Sequence, residues 1–300
     1  MNNPLFSILI ANYNNGHFFK DCYQSIISQS YENWEAIIVD DGSTDDSITI
    51  IRNLIQNDSR FKLFLNDKNR GCGYTKSRCA TLANGVILGF LDPDDALKEN
   101  ALEAMIQSHF ENPDVAIVTS KFDLVDLNMN FIEAGRQGAS ISKDKSYLTS
   151  VQGILTAFAT FKKAKYIMSE GIDVKMKRAV DQDLYYKLEE QGRHLFLDVS
   201  LYLYRINENS ISANANVYKA QYWHFYSQVK AYKRRKKLNL VIDNFSKVQL
   251  KKLKSNYYML RFERAKDLNQ FCKRYYFLIK AIAIFPTHKL QYKLKSLFDL

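Results

Sequence analysis

The sequence predicts an α/β fold: a mostly parallel sheet with helices on both faces, followed by a basic α-helical C-terminal extension. Three observations carry this. Apolar runs of strand length alternate with helix-period segments through the first 130 residues. The connections between them are short and carry Asn, Asp, Gly or Pro. Charge then divides the chain: residues 216–300 hold 20 Lys/Arg and 4 Asp/Glu, against 22 and 28 in residues 1–215. Two parts of opposite charge predict two tasks, so we place a boundary between a domain at 1–215 and an extension at 216–300.

Each element follows in order. Leu5–Ala11 is a continuous apolar strand, and residues 17–29 form a helix with Phe18, Cys22, Ile26 and Ile27 on one side. Trp34–Val39 is a second buried strand, ended by Asp40-Asp41-Gly42-Ser43. Ser43 or Thr44 can cap a helix carrying Ile48, Ile51, Leu54 and Ile55. Phe61–Leu65 is a third strand, 73–84 a helix ending at Asn84-Gly85, and Val86–Leu91 a fourth strand that stops at Asp92-Pro93-Asp94-Asp95. A helix over Ala96–Phe110 and a fifth strand over Asp114–Thr119 follow. Residues 134–150 read as a mobile loop, 179–191 as a helix, and 194–198 and 201–206 as strands. From 216 onward the chain reads as helical and basic.

Composition excludes several classes. With 300 residues, 11 Gly and 4 Pro, the chain is neither collagen-like nor linker-rich. No run reaches 18 apolar residues, so no transmembrane helix is expected. The start, MNNPLFSILIANYNN, lacks the basic n-region of a signal peptide, which predicts a cytosolic chain with reduced, structural cysteines at 22, 72, 79 and 272. The acidic first part argues against nucleic acid as a partner, despite the net charge of +10. There is no GxxxxGK[ST] and no GxSxG. Asn12-Tyr13-Asn14-Asn15-Gly16 stands where a Gly-rich dinucleotide turn would follow strand one.

In a parallel sheet ligands bind beyond the carboxyl ends of the strands. Asn12–Asn14, Asp40-Asp41 and Asp92–Asp95 occupy those ends. Three carboxylates at one strand tip repel one another unless a cation sits among them, and hard oxygen ligands select Mg²⁺ or Mn²⁺. The plainer reading is a solvated turn with Asp as helix cap. Asp41 is either a turn residue or an acceptor for a base edge or ribose, a uracil imide suiting a carboxylate better than an adenine. Asp181 opens the helix at 181–191 and shares a face with Leu184, Tyr185 and Leu188, while Asp183 lies on the other side. An inward carboxylate there is a general-base candidate, or simply an acid favoured by the helix dipole.

Six segments in this order, SILIANYN (7–14), SIISQSYENWEAIIVDDGSTDDS (25–47), GCGYTKSR (71–78), ANGVILGFLDPDD (83–95), AVDQDLYYKLEEQG (179–192) and YLYRINENSIS (202–212), resemble the family-2 glycosyltransferases. These are inverting enzymes of GT-A fold, the Rossmann-like fold of nucleotide-diphospho-sugar transferases. The resemblance implies that Ala11 and Tyr13 line the nucleotide base, and Asn12, at the strand end between them, is counted with the substrate-binding residues. It implies that Asp41 reads uracil, that Arg78 lies near the nucleotide, and that Asp92 and Asp94 hold ribose and a metal on the diphosphate. Asp181 matches the catalytic base. Val180, Cys79 and Asn207 depart from the family's usual Glu, Asn and His.

The resemblance thus implies a metal-dependent inverting transferase, with Mn²⁺ or Mg²⁺ as cofactor and a UDP-sugar as donor. The acceptor is a hydroxyl of a glycan or lipid-linked molecule, in cell-surface polysaccharide biosynthesis. Two rival functions are a nucleotidyltransferase and a non-catalytic nucleotide-sugar or membrane-associated binding protein. In the extension, Leu290, Leu294, Leu297 and Phe298 fall at helical spacing among Lys289, Lys293 and Lys295, which suits the anionic inner face of a membrane. An oligomer is left open.

Overall fold

The computed structural model describes residues 3–143, 145–150, 153–206, 217–240 and 247–298, excepting the side chains at 217–219, 247 and 297–298. The chain forms two compact units, Met1–Ser210 and Ile211–Leu300.

The first unit begins with β1 (Phe6–Asn12) and β2 (Trp34–Asp40), whose residues are all buried except Ala11. Both faces of these strands are covered, which is why they read as unbroken apolar runs. β3 (Phe61–Leu65) pairs parallel with β2, and β4 (Ile87–Phe90) pairs parallel with β1. The crossovers are α1 (Phe19–Ile27), α2 (Ser47–Ile55) and α3 (Cys72–Leu82). Phe19, Cys22 and Ile26 of α1 and Ile51 of α2 pack with Ile8, Ile10 and Ile38 in the main core. Each such fully buried large side chain contributes about 1.5–3 kcal/mol.

Beyond β4 come β5 (Ala96–Leu97), α4 (Ala101–Glu111), β6 (Val115–Val125) and β7 (Phe131–Ala134). β8 (Thr160–Lys162), α5 (Lys163–Met168), α6 (Val180–Glu189) and β9 (Arg193–Arg205) complete the unit. Among the described residues nine strands form one sheet, in the order β3-β2-β1-β4-β8-β6-β9-β5, with β7 on β6. β8 lies antiparallel to both β4 and β6, and β6 runs parallel to β9. Six strands therefore point one way, and their carboxyl ends put Asn12, Asp40, Asp92 and Arg205 on one edge of the sheet.

Several expectations are corrected here. The helix expected from Ala96 starts at Ala101, because Ala96 and Leu97 pair with Leu203 and Tyr202 of β9. The start of α4 is held by Gln29, whose Oε1 accepts the Leu102 N–H at 3.0 Å. Ser43 does not cap α2; it bonds Asp40 and the Asn14 N–H instead, and the helix begins at Ser47. The two strands expected at 194–198 and 201–206 are one, β9, whose pairing with β6 shifts register near Ser200. The loop at 134–150 is anchored at its end: Tyr147 is buried with its ring 4.6 Å from that of Tyr186.

The second unit contains α7 (Val217–Lys237), α8 (Lys247–Asp267), α9 (Phe271–Ile284) and α10 (Leu290–Phe298). A small core of Met259, Phe262, Ala265, Phe277, Leu278 and Ala281 joins α8 to α9. Phe225 of α7 stacks on Tyr257 of α8 at 4.9 Å between ring centroids. Among the described residues no helix is long and apolar enough to cross a membrane.

Candidate active site

The loops after β1 and β2 are zipped together by side chains. Asn12 is buried and donates from Nδ2 to Asp40 Oδ2 at 2.8 Å. Asn14 takes φ +50° and binds Ser43 and Thr44, while the Gly16 N–H donates to Ser47 Oγ at 2.8 Å. Gly42 makes the turn after Asp41 at φ +71°, a conformation that favours glycine. Ala11 is half-buried beside this zipper and Tyr13 is exposed.

Asp41 is buried and most of its capacity is used internally. Oδ1 accepts from Asn66 Nδ2 at 2.7 Å and the Arg70 N–H at 2.8 Å, and Oδ2 accepts from the Gly71 N–H at 2.8 Å. A carboxylate has about four acceptor positions. One remains on Oδ2, and a base N–H would have to use it. Arg78 reaches the same cluster from behind: Nη1 donates to Asn66 Oδ1 and to the Leu65 carbonyl. Asn66 thus links Arg78 to Asp41, a residue that the sequence reading did not single out.

The cation among the remaining acids is Lys76, two residues before Arg78 on α3. Its Nζ lies 2.8 Å from Asp181 Oδ1 and 3.3 Å from Asp92 Oδ1, and the side chain is only 6% exposed. Burial would lower the pKa of the ammonium, but Asp181 and Asp92 outweigh it and raise the value well above the ordinary lysine range. The sequence did hold a signal. Cys72, Gly73, Cys79 and Ala80 stand three and four positions to either side, so Lys76 lies on the small, apolar face of α3.

Asp181 reaches this point because the segment before α6 lies tightly on the first turn of α3. The Gly73 N–H donates to the Met176 carbonyl at 3.1 Å. A Cβ at Gly73 would sit 2.6 Å from the carbonyls of both Asp173 and Met176. The helical-wheel expectation for α6 is corrected: Asp183, assigned to the far side, is the buried carboxylate, while Asp181, expected to point inward, is 41% exposed. Lys187, one turn on, pairs with Asp183 at 2.6 Å and donates to the Gly171 carbonyl at 2.7 Å. Val180 is buried, so the position where the resemblance calls for a carboxylate faces the core.

Asp92 and Asp94 follow β4, both half-buried. Burial first, then the charge of Asp92, raises the pKa of Asp94, with a hydrogen bond from Asn15 opposing. Asp95 is held apart from them: Tyr202 OH donates to Oδ2 at 2.7 Å and the Arg205 N–H to Oδ1 at 2.8 Å. Arg205 also donates from Nε to the Asp94 carbonyl at 2.7 Å and from Nη2 to Asp21 Oδ2 at 2.7 Å, with its guanidinium 4.6 Å from the Phe18 ring centroid. Tyr202 and Arg205 thereby set the acidic turn. Neither was read from the sequence as a site residue, although both fall in a motif segment. Asn207 lies outside the described residues.

Asp92 and Asp94 are oxygen donors whose mutual repulsion a divalent cation relieves, so they fit Mg²⁺ or Mn²⁺. Among the described residues no three His, Cys, Asp or Glu side chains form a cage for a metal. Substrate oxygens and water would therefore supply the other ligands.

Residues 7–165 match the family model for glycosyl transferase family 2. Chondroitin synthase of Escherichia coli is 33% identical over 189 residues, which cover 63% of this chain and 27% of that protein. Hyaluronan synthase of Pasteurella multocida is 29% identical over 199 residues, 66% of this chain and 20% of the relative. The chain thus spans less than a third of the length of either relative. Among solved structures, S. aureus TarS 1-349 in complex with UDP-GlcNAc aligns with a TM-score of 0.63 and 18% identity, over 97% of this chain and 92% of that one. At that identity the likeness is one of fold, and it is consistent with a GT-A sheet. With the family model matched over more than half of its length, and its motifs gathered on one edge of the sheet, the chain belongs to glycosyl transferase family 2.

Proposed function

We propose that the protein transfers a sugar, with inversion, from a nucleotide donor to a hydroxyl of a glycan or lipid-linked acceptor during synthesis of a surface polysaccharide. The observation that carries this is the meeting of Asp92 and Asp181 at Lys76 on the carboxyl edge of the sheet, with Asp94 beside them. A UDP-sugar is the donor we favour, in keeping with the UDP-GlcNAc bound by TarS. The polymer-forming relatives support a polysaccharide product.

Asp181 accepts the proton of the acceptor hydroxyl as that oxygen forms its bond to the anomeric carbon. The bond from that carbon to the diphosphate breaks on the opposite face, and the nucleoside diphosphate leaves with the electron pair. In this reading the Lys76 ammonium passes from the two carboxylates to the diphosphate oxygens. Asp94, with Asp92, would hold the divalent cation, which supplies charge neutralisation to the leaving group when bound. Ala11 and Tyr13 line the uracil in the same reading, Asp41 accepts its N–H, and Arg78 acts through Asn66, which holds Asp41. The basic second unit suits work against an anionic membrane surface.

The test is a panel of nucleotide sugars scored for nucleoside diphosphate release, with Mn²⁺ and then with chelator. We expect metal-dependent UDP release from one donor. No release from any donor, together with no metal-dependent binding of UDP, would overturn the reading in favour of the non-catalytic one.

A further inference from the structure

α9 is apolar on the side it buries and apolar on the side it exposes. Phe277, Leu278 and Ala281 face the core of the second unit. At 100° per residue the opposite side carries Cys272, Tyr276, Ile279 and Ala283. All four are exposed, Tyr276 by 53% and Ile279 by 61%. A solvent-facing helix ordinarily places charged residues there.

α10 is inverted in a second way, because it buries Lys293 and Ser296 while exposing Leu290 and Leu294. The reason lies at the end of α9. Lys293 Nζ donates to Ser255 Oγ at 2.7 Å, to the Ala281 carbonyl at 3.1 Å and to the Phe285 carbonyl at 2.5 Å. A cation on the last carbonyls of a helix is favoured by the helix dipole. With that side of α10 spent on a cap, its leucines are left outside. The sequence expectation that Lys293 would face a membrane is therefore corrected, while the side chains of Leu297 and Phe298 lie outside the described residues.

The rim of this surface is basic. Lys273 and Lys280 flank the α9 stripe, and Lys289 and Lys295 stand by the leucines of α10; all four are exposed. Lys280 Nζ lies 5.4 Å from the Tyr276 ring centroid. Neither α9 nor α10 contains an Asp or Glu. A second copy of the same face would bring lysine against lysine, whereas a sheet of lipid phosphates meets both the charge and the apolar stripe.

We propose that the exposed face of α9, with Leu290 and Leu294 of α10, rests on an anionic phospholipid surface. Tyr276, Ile279 and the two leucines enter the boundary between headgroups and acyl chains, and the lysines hold the lipid phosphates. Binding to lipid needs neither donor nor acceptor, so this proposal and the sugar-transfer reading fail or stand separately.

The test is flotation of the full chain with vesicles of phosphatidylcholine alone and with vesicles that also contain phosphatidylglycerol. We expect flotation with the anionic vesicles only. Ile279→Ser should weaken that binding about tenfold or more. Lys273→Gln and Lys280→Gln should each weaken it about fivefold. All three positions are exposed, so circular dichroism and donor turnover should match the parent. Equal flotation with neutral vesicles, no flotation at all, or an Ile279→Ser variant that floats like the parent would each overturn the proposal. So would a concentration-dependent dimer that Ile279→Ser dissolves, which would give the face to a second copy of the chain.

Discussion

Lys76 and Asp181 stand 105 positions apart in the chain, and their side chains meet at 2.8 Å. The pair joins α3, the crossover between β3 and β4, to α6, far along the chain. It brings the base candidate to the acidic turn after β4, where Asp92 shares the same ammonium at 3.3 Å.

Asp181→Asn should lower kcat by about 10²–10⁴ if the carboxylate is the base. The fold should survive with a loss of about 1–3 kcal/mol, since Asp92 still compensates the buried ammonium. Single-turnover rates and a denaturant titration would check both. Turnover near that of the parent chain would remove Asp181 from the role.

Lys76→Met keeps the side-chain volume and removes the charge. Asp92 and Asp181 are 48% and 41% exposed, so water can solvate them, and stability should change by only about 1 kcal/mol. Donor binding should weaken ten- to a hundredfold, the size of a lost charge-assisted hydrogen bond of about 1.5–3 kcal/mol. Calorimetric titration with UDP, with and without Mn²⁺, separates this from a loss of metal. An unchanged affinity would confine Lys76 to a structural part.

Tyr202→Phe removes one donor from the buried Asp95 and leaves the ring in place. Asp95 already has a pKa raised well above the carboxylate range, by burial first and then by Asp94 and Asp92. The expected outcome is a loss of about 1–3 kcal/mol and a weaker apparent affinity for Mn²⁺, because the acidic turn loosens. A stability loss with no change in metal dependence would show that Tyr202 supports the core alone.

Gly73→Ala puts a Cβ against the carbonyls of Asp173 and Met176. Backbone on both sides leaves no flexible side chain to yield. We expect a loss of about 1–3 kcal/mol, with a fall in kcat as the segment leading to Asp181 is displaced. Proteolysis within 171–178 should quicken in the variant, and parent-like activity would count against this route of positioning.

Stability should fall as pH drops below about 6.5. His109 and His194 are buried, each with Nε2 on a threonine, Thr160 at 3.0 Å and Thr119 at 2.7 Å. Burial pushes their pKa values down to about 3 and about 4. The unfolded chain therefore binds protons that the folded chain refuses. The stabilisation is complete above the unfolded value of 6.5 and is lost as pH falls from there toward the folded values. The slope should be about 1.4 kcal/mol per pH unit for each histidine. His194→Gln should reduce the slope by about 1.4 kcal/mol per pH unit between pH ~6 and ~5 in denaturant midpoints, and an unchanged slope would assign the effect elsewhere.

The reach of the sequence can be judged from particular residues. The strands at Phe6–Asn12, Trp34–Asp40 and Phe61–Leu65 were legible because buried parallel strands are apolar on both sides. The acids at their ends were legible because a parallel sheet gathers its carboxyl ends on one edge. Helix α4 was misplaced at its start because Ala96 and Leu97 pair with Leu203 and Tyr202 of β9, partners far away in the sequence. Asp183 was assigned to the outer side of α6 because helical spacing gives angles and says nothing of what lies opposite each one.

What the sequence by itself determined is the order of strands and helices, the family motifs, the acidic strand tips and the division of charge at about residue 216. Periodicity and local spacing carry that information. Only the tertiary structure decided that Lys76 rather than Arg78 stands among Asp92 and Asp181, and that Asp41 is already bound to Asn66, Arg70 and Gly71. It likewise decided that Lys293 turns inward while Tyr276 and Ile279 stay outside. A charged side chain goes wherever its counter-charge or carbonyl partners can be reached, and those partners lie far away in sequence or on another helix. No local pattern encodes their distance; the packing of sheet and helices does.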